Sequence, residues 1–138
     1  MFEIILVSHG GLAAAMLETA QLIAGEREGV RAFGLMAGES VEAFGEEVTA
    51  AIAGSLERGD VLVLTDLQAG SPFNVTVGAM TVHSFRHITG VNLALLIEAL
   101  SAREYMTLEE ACGELLEVGK AGVADINAYL EALEAADR

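Results

Sequence analysis

Ser8-His9-Gly10-Gly11 stands directly behind the apolar run Ile4-Ile5-Leu6-Val7. A second apolar run, Val61-Leu62-Val63-Leu64, leads into Thr65-Asp66 and then into Ala69-Gly70-Ser71-Pro72-Phe73-Asn74. Together these residue types can hold and move an anionic group. Imidazole ordinarily titrates near neutrality, so a neutral ring nitrogen is at hand as a nucleophile toward phosphorus. A carboxylate bonded to the other ring nitrogen fixes the tautomer and stabilises the ring as it turns positive. Glycines let backbone N–H groups approach phosphoryl oxygens closely. A helix starting at Ser71-Pro72 adds a hydroxyl and a dipole. The expected roles are His9 as phosphoryl acceptor and Asp66 as its partner, with Gly10, Gly11 and Ser71 binding phosphate. Phosphoryl transfer asks mainly for such positioning and electrostatics.

Each of these residues also has an ordinary structural reading. Gly10-Gly11 suits a tight strand-to-helix turn, Asp66 a turn, and Ser71-Pro72 a helix cap. Arrival at one edge of one sheet is what favours the chemical reading over the ordinary one. His83, near a helix end, and His87, within a strand, lack that context and read as structural. Cys112 lies on an apolar helical stripe and reads as core. The histidines and the cysteine show no metal-ligand spacing, and no Walker sequence is present. Neither a metal nor a cofactor is expected.

The elements that would carry these residues follow from periodicity. Residues 4–7 and 61–64 are short, continuous apolar runs, as in strands buried on both faces of a parallel sheet. Residues 30–36 and 85–89 read as two further strands. Leu12, Met16, Ala20 and Ile23 recur at helical spacing before Gly25, and Val41, Phe44, Val48 and Ile52 recur behind the cap Ser40. A third helix starts with Ser71 as N-cap and runs to about residue 81 or 82. Leu93, Leu96, Ile97 and Leu100 mark a fourth, and Thr107 to Glu110 reads as a capping box before Leu108, Ala111, Cys112, Leu115 and Leu116. Residues 122–126 read as a short strand, followed by a last helix with Ile126, Leu130 and Leu133; one continuous helix over 120–133 is the alternative. Strands alternating with helices predict a single three-layer α/β domain over 1–138, its sheet mostly parallel. In such a sheet ligands gather outside the carboxyl ends of the strands, where strand order reverses. His9 and Asp66 meet there if the first and third strands are neighbours.

Bulk properties exclude other functions. The apolar share of 53% in 138 residues supports a packed core and rules out a disordered chain. The charge of −14, with arginines scattered at 27, 31, 58, 86 and 103, speaks against nucleic acid. No apolar run is long enough to cross a bilayer and no signal peptide is evident, so a cytoplasmic protein without membrane insertion is expected. One cysteine permits no internal disulfide.

Ile4-Ile5-Leu6-Val7-Ser8-His9-Gly10, the segment from Leu64 through Asn74 with its Gly-Ser-Pro-Phe-Asn ending, and Thr89-Gly90-Val91-Asn92 resemble, in order and spacing, the mannose-family IIA component of the bacterial phosphoenolpyruvate-dependent sugar phosphotransferase system. The resemblance covers roughly the first 120 residues. It implies that His9 is the phosphorylated histidine and Asp66 its paired carboxylate. It implies sheet order 2-1-3-4 and a homodimer completed by an antiparallel C-terminal strand exchanged between subunits. The implied donor is the histidine-containing phosphocarrier protein, and the implied acceptor is a IIB component, here expected on a separate chain. Sugar specificity in such systems belongs to the membrane components. The sequence departs from the family at Ala69, where a glycine is common, and at Leu67 and Gln68, where an aromatic or hydroxyl residue is common.

Two other readings share the histidine. One is the phosphoryl donor of a dihydroxyacetone kinase, whose segment after the aspartate is typically of Met-Gly-Ser type. The other is a regulatory module switched by phosphorylation. A histidine phosphatase would place an arginine beside the histidine, where this chain has Ser8.

Overall fold

In the computed structural model, which describes residues 1–137, the two continuous apolar runs become the central pair of a parallel sheet. Strand β1 is Glu3–His9, β2 Val30–Leu35, β3 Val61–Thr65 and β4 Arg86–Thr89, in the order β2-β1-β3-β4. β1 pairs in parallel with β2 (His9 opposite Leu35) and with β3 (Val7 opposite Thr65). Every residue of β3 is buried, as a strand covered on both faces requires.

Helices α1 (Leu12–Ala24), α2 (Val41–Leu56), α3 (Ser71–Ala79), α4 (Leu93–Ala102) and α5 (Leu108–Ala121) form the outer layers. Side chains alternate along a strand, so each strand feeds two cores. Ile4, Leu6, Leu62, Leu64 and Ile88 pack with α1, α4 and α5, and Ile5, Val7, Phe33, Val61 and Val63 pack with α2 and α3. The three-layer order 2-1-3-4 is the expected one. Cys112 lies in the first core.

Local signals explain most of the helix starts. Ser40 accepts from the Ala43 N–H, Asn92 from the Leu95 N–H, and Thr107 and Glu110 close the capping box. The helical stripes are slightly rotated from those expected. In α1 the packed residues are Ala13, Met16, Leu17 and Ala20, leaving Leu12 and Ile23 exposed; Val41 and Leu116 are exposed likewise. Small alanines let α1 lie close to the sheet, with Met16 and Leu17 partly buried beside them and Leu12, Leu22 and Ile23 turned outward.

The C-terminal segment corrects the expected fifth strand. Gly122 stays in helical conformation at the end of α5, and Asp125 accepts from the Ala128 N–H to start a separate helix, α6 (Ile126–Ala136). The expected strand at 122–126 is therefore a turn, and neither is there one continuous helix over 120–133. A helix cap at Asp125 outweighs the weak strand preference of a stretch with only Val123 and Ile126 as large apolar residues. No residue of α6 is buried, and Ile126, Tyr129, Leu130 and Leu133 line one exposed face. Among the described residues no helix is long and apolar enough to cross a membrane.

Candidate functional site

The strand order decides which residues meet. His9 ends β1 and Asp66 follows the last residue of β3, and the two strands are parallel neighbours. Both therefore emerge at the carboxyl edge, beside the place where the chain reverses its winding direction. Asp66 Oδ2 accepts from the His9 backbone N–H and lies 2.9 Å from His9 Nδ1. Its Oδ1 accepts from the Leu67 N–H at 3.0 Å. The carboxylate side chain is 6% exposed and the imidazole 47%. A fixed, nearly buried anion thus holds a ring whose other nitrogen is uncommitted. Burial pushes the Asp66 carboxyl up, but the backbone and ring bonds from His9 and the Leu67 N–H outweigh it and hold the group below its ordinary value.

Alternation along β1 sorts the neighbouring residues. His9 shares the face of Ile5 and Val7, the one covered by α2 and α3, whereas Ser8 faces α1. Ser8 is buried, and its Oγ accepts from the Ala13 N–H at 2.8 Å, capping α1 from below. Its hydroxyl belongs to the fold and stands on the far side of the sheet from the imidazole.

The predicted phosphate-binding residues fare differently. Gly10 has φ +53°, and its N–H donates to the Leu35 carbonyl at 2.8 Å. That donor is spent on holding the turn against β2. The approach is so close that a Cβ on Gly34 would be driven into the Gly10 carbonyl oxygen. Gly11 is the N-cap of α1, with open space around it. Ser71 is the first residue of α3, while the N-cap itself is Gly70 with φ +88°. Among the described residues the Ser71 hydroxyl has no hydrogen-bond partner, so it is not used up by the helix start.

Two residues escaped the sequence reading. Gly70 lies so close to the imidazole that a Cβ there would stand 2.7 Å from His9 Nε2 and 2.8 Å from Cε1. The Gly-Ser-Pro signal was visible, but its contact with His9 depends on tertiary structure. Gly34 left no signal beyond its glycine. His87 is half-buried, bonds the Thr65 hydroxyl at 2.8 Å and packs against the Phe73 ring. Burial lowers its pKa. It braces β3 and α3 beneath the site. His83 lines a groove between α2 and α3 of about 560 Å³, apart from His9.

Comparison with known proteins bears on what such an edge does. Residues 3–116 match the family described as PTS system fructose IIA component, EIIA-man. The chain belongs to this family. It is a IIA component of the mannose type in the sugar phosphotransferase system, with a general role in phosphoryl transfer for sugar uptake. It is 27% identical to the fructose-specific EIIA component of Bacillus subtilis, over 100% of this chain and 95% of that one. It is 32% identical to the mannose-specific EIIAB component of Escherichia coli, over 91% of this chain, and it spans 39% of that longer protein. Among solved structures, the IIA protein associated with the fucose utilization operon of Streptococcus pneumoniae is 31% identical, with a TM-score of 0.84 over 93% of this chain and 95% of that one. The mannose/sorbose-specific IIA subunit of Enterococcus faecalis is 30% identical, with a TM-score of 0.79 over 90% of this chain and 93% of that one. Outside the IIA family's matched span lies the tail that carries α6.

Proposed function

We propose that this IIA component accepts a phosphoryl group on Nε2 of His9 from the histidine-containing phosphocarrier protein and passes it to a IIB component, in the cytoplasm. The carrying observation is the His9–Asp66 pair: Nδ1 is engaged by a nearly buried carboxylate, and Nε2 lies against the N-terminus of α3 on a ring half open to solvent. The Nε2 lone pair forms the new N–P bond as the donor's N–P bond breaks, and the donor's ring leaves with the electron pair. Asp66 keeps the proton on Nδ1 and stabilises the positive ring. The Ser71 hydroxyl, the free N–H groups at the start of α3 and the Gly11 N–H are the donors for the phosphoryl oxygens. Passing the group on reverses the step.

The sugar is not set here. Relatives named for fructose and for mannose match at 27% and 32% identity. That likeness across different sugars fits a common carrier whose membrane partners select the substrate.

Incubation with purified general phosphotransferase components tests the carrier reading. Acid-labile phosphate should appear on the wild type, map to His9 by mass spectrometry in alkaline conditions, and be absent from His9→Ala. Unchanged incorporation in His9→Ala would rule the assignment out.

The unit we infer is a homodimer. β4 leaves an open edge, and α6 carries an apolar face that no other described residue of its own chain covers. A second copy would cover both. Light scattering should give a dimer for the full chain and a monomer for a chain ending at Ala121. A monomeric full chain, or a truncated dimer, would contradict it.

A further inference from the structure

We infer that Gly70 is a positioning residue of the phosphoryl site: its missing side chain leaves the space that the His9 Nε2 lone pair needs. The inference deepens the carrier reading and rests on it only for its kinetic consequence.

Three observations converge on this glycine. First, Gly70 precedes α3 with φ +88° and its carbonyl accepts from the Asn74 N–H at 2.9 Å, so its backbone is fixed as the start of that helix. Second, a Cβ built on this backbone would stand 2.7 Å from Nε2 and 2.8 Å from Cε1, closer than carbon approaches either atom without displacement. Third, the ring cannot easily turn away. Asp66 holds both its Nδ1 and the backbone N–H of the same residue through one oxygen. A methyl at position 70 would have to break that clamp, unseat the first turn of α3, or occupy the volume beside the lone pair. Each outcome obstructs formation of an N–P bond at Nε2.

Positive φ alone would make this glycine hard to replace, so the contact must be separated from the strain. Gly38 supplies the control. It has φ +82°, and a Cβ there would meet nothing within 4 Å. Gly70→Ala and Gly38→Ala both place a side chain at positive φ, and only the first touches the imidazole.

A double-mutant cycle tests the contact without any partner protein. Stability to urea is measured for wild type, Gly70→Ala, His9→Ala and the combined variant. Removing the ring should restore a measurable part of the stability lost in Gly70→Ala, while Gly38→Ala should cost the same with or without the ring. Equal cost of Gly70→Ala in both backgrounds overturns the inference. Should Gly70→Ala alone not fold, recovery of a folded protein in the combined variant carries the same message, and failure of both overturns it. The kinetic consequence is read with phosphoramidate, which transfers its phosphoryl group to imidazole with loss of ammonia. A folded Gly70→Ala should be slower than wild type by about 10²-fold, the scale of an ångström's misplacement, whereas Gly38→Ala should keep the wild-type rate. A Gly70→Ala rate within about twofold of wild type would refute the positioning role. A wild type that takes up no phosphate at His9 would instead count against the carrier reading, and the stability cycle would still decide the contact.

Discussion

Two acid–base pairs of equal length occupy opposite ends of the same sheet. At the carboxyl edge, His9 and Asp66 stand 2.9 Å apart, with side chains 47% and 6% exposed. At the amino edge, Arg58 and Glu3 also stand 2.9 Å apart, with side chains 57% and 13% exposed. In both, an open base is held by a sheltered carboxylate, yet the chemistry differs. Arg58 is always protonated, and bonding to Glu3 raises its pKa further, so it offers no lone pair. It can only clamp. The imidazole keeps one nitrogen outside the pair, able to form and release a bond. The base, rather than the pairing geometry, separates the two ends.

Their surroundings differ in the same sense. Around the amino edge the buried Arg103 donates to the carbonyls of Phe2 and Glu28, tying the start of β1 to the loop ahead of β2. At the carboxyl edge, glycines with positive φ, Gly10 and Gly70, form the turns beside the ring, and at Gly70 a side chain would obstruct it. One end is fastened and the other is kept open.

The sharpest way to break the comparison is to neutralise Asp66. Asp66→Asn should preserve the fold and slow phosphoryl uptake by about 10²–10⁴-fold, because the amide cannot hold the ring tautomer or balance its positive charge. Rapid-quench kinetics on the folded variant provide the measurement. A rate within about twofold of wild type would mean that the carboxylate serves only its turn. Next in size is Arg103→Met. Its carbonyl partners at Phe2 and Glu28 would lose their donors, at a cost of about 2–4 kcal/mol. Urea unfolding should show that loss while uptake by the folded fraction stays at wild-type rate. A large kinetic defect would show that the two edges are coupled.

How far these two ends could be read from sequence differs too. The carboxyl edge was largely legible. Continuous apolar runs marked β1 and β3 as buried strands, and the order 2-1-3-4 implied by the family resemblance made them neighbours, so that the residues directly behind them emerge together. What stayed hidden there depends on tertiary distance. Ser71 was read as the cap because serine favours that position, but the chain gives it to Gly70, whose positive φ turns α3 toward His9. Likewise, the Gly10 N–H is committed to Leu35 across two strands, and local sequence carries no trace of that bond. The amino edge was illegible, since arginines scattered at 58 and 103 become partners only when the strands align. The C-terminal segment misled for a third reason. Gly122 to Ile126 is too short for a strand period to outweigh one good helix cap at Asp125.

The smallest expected effect is the pH dependence of stability, and it compares the two carboxylates directly. Both Glu3 and Asp66 are pushed up by burial and pulled further down by their bonds, Glu3 by Arg58 and Ser55, and Asp66 by the His9 and Leu67 donors. A carboxyl held below its unfolded value binds its proton less readily when folded. Its stabilisation is therefore complete above the ordinary carboxylate pKa of about 4 and is lost as the pH falls through the lowered folded value. Unfolding in urea should show wild type more stable than Asp66→Asn at pH 7, with the gap closing below about pH 4. Glu3→Gln should behave alike in direction, but with a smaller gap, because Arg58 is mostly in water and its attraction is screened. Salt separates the two further. Added salt should shrink the Glu3 gap, whereas the Asp66 gap, resting on two backbone N–H donors to a nearly buried side chain, should persist. If the Asp66 gap instead stays constant from pH 7 to pH 3, its bonds do not distinguish carboxylate from carboxylic acid, and the fixed anion assigned to the carboxyl edge is gone.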